Sequence, residues 1–142
     1  MRVFKAKDGF LVRLEPGEEI HESLTAFARE EGIEGASVQG IGAIMNVELG
    51  YYNLEPKEYE RREVTDITEL LSLNGNLSLL DGRPFLHAHV VLMRQDRSLA
   101  GGHLFRAEIA VTGEFSIRQT DLELVRELDE SLGLALLEAK PR

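Results

Sequence analysis

The side chains best suited to chemistry in this sequence are four histidines: His21, His87, His89 and His103. His87-Ala88-His89 lies inside an apolar run, Phe85 to Met93, that reads as a strand. Residues i and i+2 of a strand point to one face, so the two imidazoles project together while Leu86, Ala88 and Val90 face the other way. A polar connection, Gln95-Asp96-Arg97, follows. With a hairpin loop centred on Asp96, paired residues sum to 192, which places His103 opposite His89. Cross-strand partners share a face, with Cβ atoms about 5 Å apart. Three neutral imidazoles with one open position suit a divalent metal, zinc first, although iron, nickel and copper accept the same donors. Gly101 and Gly102 let the backbone approach closely or bulge beside that point.

The expected metal ligands are therefore His87, His89 and His103. His21 sits beside an apolar helical stripe and is not assigned as a ligand. Glu108 and Glu114 are the candidates for a fourth ligand or a general base, although each reads better as a solvated strand residue. A divalent ion at this point could acidify a water or polarise a carbonyl, supporting hydrolysis or hydration. The same site could instead sense a small ligand without turning it over. Nothing in the sequence chooses a substrate.

Other sites fail. Gly40-Ile41-Gly42 begins like a dinucleotide fingerprint, but Met45 stands where its third glycine belongs and no helix follows, so close backbone approach explains those glycines better. There is no Gly-x-Ser-x-Gly elbow and no phosphate-binding Gly-x4-Gly-Lys sequence. Arg61-Arg62 and the Arg94/Arg97 pair are small basic groups on an acidic background, best read as solvated charges.

The elements that must position the histidines are mostly strands. Arg2 to Leu14 alternates around Asp8-Gly9, a dipeptide that favours a hairpin turn. Pro16-Gly17-Glu18-Glu19 leads into a helix, whose buried stripe is Ile20, Leu24, Phe27 and Ala28 and whose C-terminal cap is Gly32. Strands follow over Ala36–Ile44, Val47–Tyr52, Tyr59–Thr65 and Ile67–Leu80, with Asn74-Gly75 as a hairpin or a bulge. Asp81-Gly82-Arg83-Pro84 is a turn, Phe85–Met93 a strand, and Ala107–Arg118 closes the strand-rich region. From Asp121 to Leu137 the leucine spacing suits a short helix, interrupted by Gly133. The expected class is α+β: a largely antiparallel sheet with one long N-terminal helix and short extra helices, in a single compact domain over residues 1–142.

Composition narrows the function classes. The 142 residues include 25 acidic and 16 basic side chains, a formal net charge of −9. Such a surface repels phosphate backbones, which argues against autonomous nucleic-acid binding. Having no Cys excludes disulfides, thiol catalysis and thiolate-ligated metal centres. No long apolar run and no basic-then-apolar leader is present, so neither a membrane span nor a signal peptide is expected and the chain is assigned to the cytoplasm.

Four segments in order carry a family resemblance: Gly40-Ile41-Gly42-Ala43; Leu73-Asn74-Gly75-Asn76-Leu77-Ser78-Leu79; Asp81-Gly82-Arg83-Pro84-Phe85 with His87-Ala88-His89; and Gly101-Gly102-His103-Leu104. Together they resemble the PPC domain, the plant-and-prokaryote domain that follows AT-hooks in plant nuclear proteins and stands alone in bacteria and archaea. The resemblance runs from about Phe4 to Leu137. It implies an antiparallel central sheet flanked by helices, a homotrimer, and a metal at His87, His89 and His103. Prokaryotic members carry a DNA-binding label by analogy with the plant proteins. This chain has no Arg-Gly-Arg-Pro hook, the segment that would enter an A·T minor groove. The resulting reading is a homotrimeric regulatory or interaction module with a three-histidine metal site. The alternative is a metal-dependent enzyme of hydrolase or hydratase type, or a small-ligand sensor.

Overall fold

The computed structural model describes residues 1–141. In chain order the elements are β1 (Arg2–Ala6), β2 (Gly9–Leu14), α1 (Ile20–Glu30), β3 (Ala36–Asn53), β4 (Glu58–Val64), β5 (Thr68–Leu80), β6 (Arg83–Met93), β7 (Leu99–Gln119), β8 (Leu122–Asp129) and β9 (Leu134–Pro141). All nine strands belong to one sheet, along the path β1-β2-β7-β3-β5-β8-β9, with β4 paired to β3. The strand β6 pairs with both β5 and β7, so β3, β5, β6 and β7 close a ring of antiparallel pairs. The one parallel register is Leu79 with Val125.

Two strands make that closure possible by being unusually long. β3 has 18 residues and β7 has 21, against a typical strand of about 5–6. Each serves different neighbours at its two ends: β7 starts against β6 and finishes against β2. Strands this long must bend to stay on a small core. Register shifts at Gly40/Gly42 and again between Gly42 and Leu49 absorb the bend.

The helix is fixed at both ends by local chemistry. Glu19 is its N-cap, accepting from the Glu22 amide at 2.7 Å. At the other end Gly32 adopts φ +64°, its amide reaches the Arg29 carbonyl at 3.4 Å, and the Ile33 amide reaches the Ala28 carbonyl at 2.8 Å. This is the left-handed glycine stop with its two reversed hydrogen bonds. The stripe Ile20, Leu24, Phe27 and Ala28 is buried, and Phe27 meets Phe10 edge-to-face at 5.0 Å. The helix packs on β6 and β7, whose Leu86, Ala88, Val90, Leu92 and Leu104 belong to the same buried core.

The α+β expectation, with one long N-terminal helix and extra short ones, is corrected. Strands make up 70% and helix 8%, and α1 has 11 residues. Among the described residues there is no other helix. The segment read as a helical tail is the β8–β9 hairpin, turned at Gly133 with φ +70°. Leu122, Leu124 and Leu128 fit a two-residue period as well as a helical one, and the free edge of β5 offers a partner that pairing captures. The N-terminal hairpin forms, with Gly9 already inside β2, paired to Ala6. Asn74-Gly75 is neither hairpin nor bulge but lies within β5.

Candidate metal centre

The strand β6 alternates strictly. Leu86, Ala88 and Val90 are buried, while His87 is half-buried and His89 exposed on the opposite face. The β6–β7 hairpin has the register that its loop spacing predicts: His89 pairs with His103, and Met93 with Leu99. Ring centroids are 5.2 Å apart for His87 and His89, 5.1 Å for His87 and His103, and 5.5 Å for His89 and His103. One nitrogen from each ring lies within 4.8 Å of those of the other two. Tetrahedral zinc–nitrogen bonds place ligand nitrogens roughly 3.4 Å apart, so modest ring movements would complete a coordination set.

Close backbone packing makes the convergence possible. A Cβ on Gly75 would stand 2.1 Å from the His87 carbonyl oxygen. One on Gly102, where φ is +156°, would stand 2.7 Å from the carbonyl oxygen of Gly50. Glycine at these two points lets β5 press on β6 and β3 press on β7, right beside the imidazoles.

The surroundings keep His87 and His103 neutral. Burial first, then the positive charge of Arg126, pushes His87 down to about 4. Burial first, then His87 and His89, does the same to His103, also to about 4. Much of the wall around His103 is aromatic: Phe105 at 4.6 Å and Tyr59 at 5.0 Å between ring centroids, with Tyr52 behind Tyr59. The Arg61 guanidinium covers Phe105 at 3.8 Å and pairs with Glu48 at 3.0 Å. His103 Nδ1 is buried without a hydrogen-bond partner. A neutral imidazole with an unsatisfied buried nitrogen has a lone pair or an N–H to offer, and the donor set fits a borderline divalent ion such as zinc.

The Plants and Prokaryotes Conserved (PCC) domain matches residues 1–121. The chain belongs to this family. Among solved structures, the plant- and prokaryote-conserved (PPC) protein of Pyrococcus horikoshii is 37% identical, covering 96% of this chain and 93% of its own at a TM-score of 0.85. A protein of Bacteroides thetaiotaomicron VPI-5482 described as a "putative DNA binding protein" is 31% identical, with 96% of each chain covered and a TM-score of 0.92. A metal-containing protein of Archaeoglobus fulgidus is 38% identical, covering 96% of this chain and 98% of its own at 0.84. No curated protein matches the chain.

The other candidates in this PCC domain lie elsewhere. Glu108 is held by Asn46 at 3.1 Å and by Arg106, and Glu114 is exposed on β7 opposite Arg13 and Ile41. Neither belongs to the histidine group. His21 Nδ1 stands 3.7 Å from a Glu19 oxygen at the start of α1. Arg62 pairs with Glu60 at 3.0 Å. Sequence reasoning missed the neighbours of the cluster on β5: Asn74 pairs with His89 and Asn76 with His87. Counting back through the two-residue Asp81-Gly82 turn, where both φ values are positive, would have found them. It also missed Arg126, which reaches the site from β8. No helix among the described residues is long and apolar enough to cross a membrane.

Proposed function

We propose that this PCC protein is a metal-holding interaction module, in which His87, His89 and His103 together bind one divalent ion, zinc by preference. The observation that carries this reading is the convergence of three imidazoles from two paired strands, with donor atoms within 4.8 Å. The metal-containing relative from Archaeoglobus fulgidus supports it. A bound ion would supply Lewis acidity at a position open to solvent on the His89 side. Around it, Tyr59 and Phe105 exclude water from His103, and the β5–β6 pairing fixes the two histidines of β6.

The module reading includes a homotrimer. Ile41, Leu71 and Val111 line one groove and are 55%, 45% and 61% exposed, an apolar surface that a second copy of the chain would cover. DNA is disfavoured as the partner, because a net charge of −9 repels it and assembly multiplies that charge.

The test is metal content per chain by elemental analysis of untagged protein purified without chelator, beside His89→Ala. About one ion per chain, absent from the variant, is expected of a single shared site. Protein that takes up no ion even after incubation with zinc makes the histidines structural.

A further inference from the structure

The half-buried guanidinium of Arg126 has no carboxylate within ion-pair distance among the described residues, although the chain has 25 acidic side chains. Every other described arginine is either exposed or, like Arg13, ion-paired. Among the described residues, Arg126 is held by neutral acceptors only. Its Nε donates to Ser78 Oγ at 3.1 Å, one terminal nitrogen donates to the Ala135 carbonyl at 3.0 Å, and the other to Asn76 Oδ1 at 2.9 Å. The guanidinium also lies 5.3 Å from the Phe85 ring centroid. A guanidinium carries five N–H groups, so these bonds leave one N–H on each terminal nitrogen unused. Burying a cation without a counter-charge is costly.

Its place makes the unused charge meaningful. Asn76 and Ser78 share a strand face and pair with His87 and Phe85. The guanidinium is therefore one hydrogen bond away from the side chain flanking His87, on the face that carries the three imidazoles. Its field reaches both His87 and His103. The hairpin that delivers it begins just past the residues matched by the family, which end at 121, and is tied down again where Tyr52 Oη donates to the Leu132 carbonyl.

We propose that Arg126 and the histidine cluster form one composite site for an oxyanion, a phosphate or a carboxylate, whose negative oxygens meet the free N–H groups of Arg126 while another of its atoms faces the imidazoles. This deepens the metal-holding reading and rests on it for the second half of the contact. The guanidinium half stands without a metal. Paired N–H donors on a planar fork suit such oxygens, whereas a lysine would offer only a point charge.

The experiment titrates inorganic phosphate, and separately acetate, into the full-length protein with and without zinc, following the Arg126 Nε–H resonance and the heat of binding. The expected result is a saturable shift of that resonance, affinity weakened about tenfold or more in Arg126→Gln and only partly restored in Arg126→Lys, and zinc content unchanged in both. Tighter phosphate than acetate binding assigns a phosphoryl ligand, and the reverse a carboxylate. The wild-type resonance keeps the test valid if the variants lose their hairpin. A shift that persists in protein unable to hold zinc supports the Arg126 subsite while removing the metal reading. Zinc bound at full stoichiometry with an Arg126 resonance that neither anion moves overturns the proposal.

Discussion

His89 faces His103 across the β6–β7 pair with ring centroids 5.5 Å apart and ring planes at 85°. His87 stands at 81° to His89 and at 35° to His103. Three rings that merely filled space on a sheet could lie in any orientation. Here the two rings of β6 are turned nearly edge to face, so their nitrogens can approach a common point from different directions, as a tetrahedral ligand set requires.

Zinc added to the metal-free protein should raise its unfolding midpoint, because an ion held by the native cluster stabilises only the native state. At 100 times the dissociation constant the gain is about 2.7 kcal/mol. His89→Ala should abolish the gain. Since His89 is exposed, the variant's own metal-free stability should stay within about 0.5 kcal/mol of the parent. Thermal unfolding with zinc and then with chelator measures both, and a variant stabilised as much as the parent places the ion elsewhere.

Gly75→Ala should be far more damaging than an ordinary strand substitution. The new Cβ would meet the His87 carbonyl oxygen at 2.1 Å and the Ala88 Cα at 2.9 Å. Backbone atoms cannot swing aside, so β5 and β6 must part at the residues that carry the site. Overpacking of this kind costs about 1–3 kcal/mol, and zinc affinity should fall with it. Urea unfolding and zinc titration should move together. A variant that keeps its stability would show that the strand pair tolerates separation.

The histidine register was legible because the connection between its strands is short and polar, so the pairing sum follows from Asp96 alone. The helix was legible in its stripe and in Gly32, and the interval between Glu19 and Gly32 leaves room for only the 11 residues it has. The glycines of the strands were legible as points of close approach. β3 runs through Gly40 and Gly42, and β7 through Gly101 and Gly102, each using the missing side chain to pass close to a neighbour. The β8–β9 hairpin was hidden because its leucines fit two periods, and a tertiary partner decided between them. Arg126 was hidden with it: nothing local marks an arginine whose side-chain acceptors are 48 and 50 residues away.

Glu19 should make stability depend on pH. Burial raises its pKa, but the His21 imidazole nearby and hydrogen bonds from the Glu22 and Ala107 amides, at 2.7 and 3.1 Å, outweigh burial and hold it below the ordinary 4.5. A carboxyl depressed in the folded state contributes stability that is present above its unfolded value and lost as pH falls through the folded one. Glu19→Gln should therefore cost about 1 kcal/mol at pH 7, the worth of an N-cap, and progressively less as pH falls below 4.5. Urea unfolding of both proteins at pH 7 and in acid reads the difference directly, and a gap that stays constant with pH would remove Glu19 from this role.

Duplex DNA should not bind appreciably even at low salt. Affinity for a polyanion comes largely from cations that release counterions, and this chain has 16 basic against 25 acidic side chains. Several of those cations are already neutralised locally: Arg13 by Glu15, Arg61 by Glu48, Arg62 by Glu60 and Arg106 by Glu108. Of the exposed Arg83, Arg94, Arg97 and Arg118, only Arg94 and Arg97 share a turn, and no hook anchors any of them. Fluorescence anisotropy of a labelled A·T-rich duplex should match that of an acidic control protein across the salt range. Saturable binding that weakens steeply with salt would reveal a basic surface assembled between subunits, and would make the DNA-binding label of the Bacteroides relative apply here as well.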